Sequence, residues 1–269
     1  MSGLLMRGCA KRSLRPALAA VALALGVGSS VAAIAQAVVV RSTGPSAASF
    51  PTGKRFADGS SVTLRANDIV TVLDRAGTRV LRGAGTFKLD NAVVRDRGTA
   101  AMLARSLSNP SSVRAGAVRG GGLPDDNAEP IPGSIWLADI DKGGRVCVPK
   151  GSDLYLWRSN SAERRFSWLG ADDGGQMVRL QWPRKTAGVS WPAVMVPLSP
   201  GHSYKMTEDT DPTKAVEFEI VTLDPAKLPA DAAGLGAVLL DNGCRTQFDW
   251  LASSLERIDA SAPETHAAG

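Results

Sequence analysis

The sequence predicts a mainly β protein: a small N-terminal β meander, then a larger β-sandwich that carries a C-terminal helical hairpin. Three observations lead there. Between Gly133 and Leu223, runs of alternating apolar and polar residues recur about every 8 to 12 residues with turn signals between them. That stretch also holds five of the chain's six tryptophans, the bulky residues of a sandwich core. After Pro229 the apolar spacing changes from two to three and four, the period of a helix.

The first residues read as an export signal. Arg7, Lys11, Arg12 and Arg15 precede an uncharged apolar run from Pro16 to Ala35, and Ala35-Gln36-Ala37 supplies small residues where a signal peptidase needs them. Residues 1–37 are therefore assigned as a signal peptide cleaved before Val38, and the protein as periplasmic or secreted. The alternative is an uncleaved signal that anchors it in the inner membrane, since the run is long enough to span a bilayer. Only in that case is a membrane a partner. The signal accounts for most of the basic bias. The chain has 31 basic and 26 acidic residues; with the four signal cations removed, 27 face 26. A nucleic-acid partner is not expected of a nearly neutral chain.

Residues 38–107 form the small β module. Val38 to Arg41 is a β-branched run suited to an edge strand. Asp58-Gly59 is a turn pair, Val62 and Leu64 alternate with Thr63 and Arg65, and Ile69 to Leu73 is a second run. Asp74 to Gly77 is a hairpin turn with glycine where positive φ is needed, and Arg79 to Arg82 returns. Asp90 or Asn91 suits the cap of a short helix bearing Val93, Val94, Met102, Leu103 and Leu107. Residues 108–132, with Gly116, Gly120, Gly121 and Gly122 and several prolines, read as a linker.

In 133–258 the expected strands are Ser134 to Ile140, Arg145 to Val148, Leu154 to Arg158, Arg165 to Leu169, Met177 to Trp182, Trp191 to Leu198, Ser203 to Met206 and Ala215 to Leu223. Alternation sets the faces: Val178, Leu180 and Trp182 inward with Arg179 and Gln181 outward, and Val216, Phe218 and Ile220 inward with Glu217 and Glu219 in water. Pro229 suits the first turn of a helix carrying Ala232, Leu235, Val238, Leu239 and Leu240, and Gly243 suits its left-handed stop. Cys244, Phe248, Leu251 and Leu255 mark the buried stripe of a second helix, and 259–269 is a disordered tail.

Two resemblances follow. Asp58-Gly59-Ser60-Ser61-Val62-Thr63-Leu64, with Asn67 to Val72 and Gly83 to Leu89, resembles the periplasmic β module of FecR-like proteins over about 35 residues. That resemblance implies an exported β module of envelope-associated proteins. Trp191-Pro192, Val194, Val196 and Ser199-Pro200-Gly201 before Tyr204 resemble a bacterial Ig-like domain, without the Cys–Trp–Cys spacing of antibody domains. It implies an Ig-like β-sandwich architecture.

Candidate chemistry is sparse. Cys147 and Cys244 are the only cysteines after the signal, and an oxidising compartment favours a disulfide between them. The alternative is Cys244 as a nucleophile, for which the only histidines are His202 and His266. Tyr155 and Trp157 share a strand face that must meet either solvent or the helices, and they are the candidate binding aromatics. Glu208, Asp209 and Asp211, and Asp172-Asp173, lack the graded spacing of a calcium loop and read as acidic turns. No phosphate-cradling loop, zinc site or nucleophile elbow is present, so no metal, cofactor or catalytic residue is assigned. The expected function is a non-enzymatic cell-envelope protein that binds a protein partner, in envelope sensing or a related role. The alternatives are a glycan- or peptidoglycan-binding module and a cysteine-dependent enzyme. The oligomeric state is open.

Overall fold

Among the described residues, fourteen strands and two α-helices stack in layers, and each layer follows from how many of its faces are apolar. The architecture is given by a computed structural model that describes residues 37–75, 77–89 and 130–261, with side chains to 257. The signal peptide expected over 1–37 (apart from Ala37), the short helix expected within 90–107, most of the linker expected over 108–132 and the last eight residues lie outside the described residues.

The outermost layer on the N-terminal side is the antiparallel pair β3 (Ser60–Leu64) and β6 (Gly85–Leu89). Behind it lies a sheet ordered β2-β1-β4-β5, made of β1 (Ala37–Thr43), β2 (Arg55–Phe56), β4 (Ile69–Asp74) and β5 (Gly77–Arg82). β1 lies inside this sheet, between β2 and β4, not at an edge as the sequence suggested. Ala37, Val39, Val70, Val72 and Leu81 face Val62, Leu64 and Leu89 of the outer pair. Val38 and Leu73 face the other way. The buried run Val70 to Leu73, apolar but for Thr71, thus marks a strand buried on both sides.

On the C-terminal side are two facing sheets. One is ordered β11-β10-β13-β14-β8, from β8 (Gly144–Pro149), β10 (Arg165–Ala171), β11 (Val178–Trp182), β13 (Ser203–Glu208) and β14 (Ala215–Leu223). All its pairs are antiparallel except β14 with β8. The other is ordered β12-β9-β7, from β7 (Leu137–Asp139), β9 (Tyr155–Trp157) and β12 (Gly188–Ser190). Val178, Leu180, Trp182, Met206, Phe218 and Ile220 pack between them against Ala138 and Leu156, so the alternation read from the sequence gives the observed faces. Arg165 closes one end of the sandwich by bridging Asp141 (2.9 Å) and Glu208 (2.6 Å).

The segment Trp191 to Leu198, expected as a strand, is a turn. Met195 and Val196 both donate backbone N–H to Pro192 O, and Trp191 Nε1 donates to Val196 O at 2.7 Å. Pro192 and Pro197 have no N–H to give a ladder, so the chain folds on itself. Val194 is left 97% exposed and Met195 60%.

The helices α1 (Ala232–Asp241) and α2 (Arg245–Ser261) are more than a cap on the sandwich. Their apolar residues share one core with Val38 and Leu73 on one side and with Trp136, Leu137, Trp157 and Leu223 on the other. They therefore join the N-terminal sheet to the sandwich. The sequence of α1, AAGLGAVLLD, is apolar almost all round, as a helix between two sheets must be. A Cβ on Gly236 would lie 2.8 Å from Leu73 Cδ2 and 3.1 Å from the Phe248 ring, so glycine allows the close approach. The helix starts later than Pro229 suggested: Asp231 caps it, its Oδ1 accepting from Gly234 N at 2.9 Å. It ends as read, at Gly243 with φ 76°. Gly243 N donates to Leu240 O and Cys244 N to Leu239 O, the paired bonds of a Schellman motif. That motif fixes the position of Cys244.

Candidate binding surfaces

The two cysteines meet. Cys147 in β8 and Cys244 at the start of α2 form a disulfide with Cα atoms 5.8 Å apart, and both residues are fully buried. The pair ties the edge of the five-stranded sheet to the helical hairpin across 97 residues of sequence. Loop closure of that length stabilises by up to about 4–5 kcal/mol. In this state Cys244 has no thiol, and His202 lies apart in the exposed turn before β13.

Tyr155 and Trp157 do not form an exposed aromatic surface. Trp157 is 3% exposed and packs edge-on against Trp250 of α2, ring centroids 5.2 Å apart. Tyr155 is half-buried against the same core. The cause is the layering: the outer face of the three-stranded sheet meets the helices, not water.

The acidic residues of the 208–211 turn separate toward different cations. Glu208 accepts from Arg165, Asp209 from Arg179, and Asp211 pairs with Lys214 at 3.3 Å. Asp172 and Asp173 sit exposed in the β10–β11 turn, where Asp173 Oδ1 accepts from Gly175 N. Among the described residues, no three histidine, cysteine or acidic side chains lie together as metal ligands.

Two features escaped the sequence reading. The first is a contrast between the edges of the five-stranded sheet. At the β8 edge the buried side chain of Gln247 takes the place of a neighbouring strand. Its Oε1 accepts from Cys147 N at 2.6 Å, and its Nε2 donates to Cys147 O at 2.8 Å and Ile135 O at 2.7 Å. At the other edge, among the described residues, β11 pairs on one side only, with β10. One edge is plugged and the other ends the sheet.

The second is a connected group on the outer face of β10 and β11. Trp168 is the exposed tryptophan, at 37%. Its Nε1 donates to Asp209 Oδ1 at 2.7 Å. Arg179, its cross-strand partner, donates through Nη2 to Asp209 Oδ2 at 2.6 Å and lies with Cζ 4.1 Å from the centroid of the Phe166 ring. Hydrogen bonds from Arg179 and then Trp168 hold the Asp209 carboxyl below its ordinary pKa. The signal was present in the alternation: Phe166 and Trp168 share a face opposite Ser167 and Leu169, and the residues across from them are Gln181 and Arg179.

Comparison with family models, curated proteins and solved structures finds no match in any of the three. Among the described residues, no helix is long and apolar enough to cross a membrane.

Proposed function

We propose that the chain is an exported, non-enzymatic cell-envelope protein whose role is to bind a protein partner, with β11 as the strand that receives it. The observation that carries this reading is the asymmetry of the five-stranded sheet. An unpaired strand edge is a template for another chain, and folded proteins cover or blunt edges that are not to be used. Here a buried glutamine bonds both backbone groups of Cys147 on the β8 edge, and among the described residues β11 keeps a one-sided ladder. An extended partner segment added to β11 would gain main-chain hydrogen bonds and read Arg179 and Gln181 on one face.

Export is supported by the basic and apolar leader and by the disulfide, which suits an oxidising compartment. The Ig-like reading of the sandwich is supported by Tyr204 near the start of β13. Its hydroxyl donates to Pro197 O and accepts from Ser199 N, both at 2.7 Å, as the corner tyrosine of immunoglobulin-type sandwiches bonds to backbone just upstream. The FecR-like reading of β1 to β6 rests on its turn chemistry.

The test is cross-linking in intact cells, capture of the mature chain, and hydrogen exchange on the purified complex. One partner near stoichiometric amounts, with the amides of 178–182 newly protected, is the expected result. A partner that leaves those amides unchanged refutes the role of β11.

A further inference from the structure

We infer that the outer face of β10 and β11 is a binding site for a neutral oligosaccharide, with Trp168 as the platform on which a pyranose ring lies. This rests on the reading of the chain as a binding module and uses the sheet face beside the strand edge, with which it shares Arg179 and Gln181.

An exposed tryptophan is costly in water and, when mobile, loses freedom on binding anything. Trp168 is held in advance: its only donor is committed to Asp209, which is itself held by Arg179 and donates its own backbone N–H to Phe166 O at 3.1 Å. What remains available is the face of the indole. A ring face with its N–H engaged offers a flat, polarisable surface that suits the C–H groups of a sugar.

The charge around it decides the ligand class. Arg179 and Asp209 neutralise each other beside the ring, so neither an anionic nor a cationic ligand gains from the pair. Sugar hydroxyls both donate and accept, and can bond to the carboxylate and to the guanidinium together. Arg179 uses two of its five N–H groups on Asp209, through Nε (3.4 Å) and Nη2. On the same face Gln181 lies across from Phe166, Thr207 across from Trp168 and Lys205 across from Gly170, while Phe166 and Met177, whose Sδ would lie 2.6 Å from a Cβ on Gly170, add apolar surface. An exposed indole beside a neutralised ion pair, with Phe166 next to it under the Arg179 guanidinium, offers stacking and hydrogen bonding together, as a polyhydroxylated chain requires. The indole that the sequence reading sought in Trp157 is therefore supplied by Trp168.

The test uses the mature full chain on an array of neutral and acidic glycans, followed by titration of cellohexaose and chitohexaose by calorimetry. Binding to neutral glycans, unchanged by added salt, is expected. Trp168→Ala should weaken it by roughly tenfold or more, and Trp168→Phe should retain part of it. Asp209→Asn, which loses the carboxylate but keeps the shape, should weaken it less than Trp168→Ala. Thermal unfolding of each variant checks that the fold persists, as the exposure of Trp168 leads one to expect. A blank array overturns the proposal, as does binding that survives Trp168→Ala, or binding confined to acidic glycans and lost in salt. A blank array together with a protein partner lost on Trp168→Ala reassigns the face to protein binding. Loss of glycan binding without change in the β11 amides of the partner complex would separate this site from the strand edge.

Discussion

Gln247 is the residue on which the closed edge of the sandwich depends most directly. It is 1% exposed, and its amide serves three backbone groups, Cys147 N, Cys147 O and Ile135 O. Gln247→Leu keeps the approximate volume and removes all three bonds. A buried backbone group left without a partner costs about 1–3 kcal/mol, and the added apolar contact returns part of the sum. A net loss of roughly 3 kcal/mol follows, or a fall in Tm of roughly 6–12 °C for a chain of this size. Gln247→Glu sharpens the test. A carboxylate still accepts from Cys147 N, but it has nothing to donate to the two carbonyls. Burial and those carbonyls raise its folded pKa above the unfolded value, so its penalty is smallest below about pH 4 and grows as pH rises. Urea unfolding across pH is the assay. Gln247→Leu within about 1 kcal/mol of the parent, or Gln247→Glu equally stable at acid and neutral pH, would refute the account of this edge.

Three further outcomes are expected. Reduction of the disulfide, or the double change Cys147→Ala with Cys244→Ala, should lower unfolding stability by up to about 4–5 kcal/mol and raise hydrogen exchange first in α1 and α2. Arg158 is 2% exposed, donates to Thr186 O at 3.0 Å and Pro183 O at 2.8 Å, and lies over the Trp182 ring. Arg158→Met should therefore cost about 2–4 kcal/mol, with Arg158→Lys no better because a single ammonium cannot span both carbonyls. The Asp209 pKa is lowered in the folded state, so the stability it contributes is present above the unfolded value and is lost as pH falls through the folded one. Its protonation should appear in the Trp168 fluorescence, taken as the difference from Trp168→Phe, with a midpoint below an ordinary aspartate and absent in Asp209→Asn.

What the residues reveal by themselves divides along physical lines. Alternation is local, and it placed Val178, Leu180 and Trp182 inside and Arg179 and Gln181 outside as observed. Helix-end chemistry is also local, and Gly243 terminates α1 as expected. The disulfide partners needed only a count, since two cysteines lie outside the leader expected over 1–37. The errors concern what covers a face, which depends on residues far along the chain. Trp157 is a candidate for exposure by sequence because nothing near it along the chain shows that Trp250 packs against it. The two-sided apolar character of α1 did signal burial between layers, but not which layers. Trp191 to Leu198 has strand-like content and fails as a strand because Pro192 and Pro197 withhold donors. Gln247 gave no signal: a glutamine on a helix becomes an edge plug only when β8 lies beside it.

The most direct test of the central claim is site-specific photo-cross-linking in intact cells, with the probe placed at Gln181 on β11 or at Arg145 on β8. A single protein adduct from Gln181 and none from Arg145 is predicted, because one edge ends the sheet and the other is occupied by Gln247. No adduct from Gln181, or the same adducts from both positions, would contradict it.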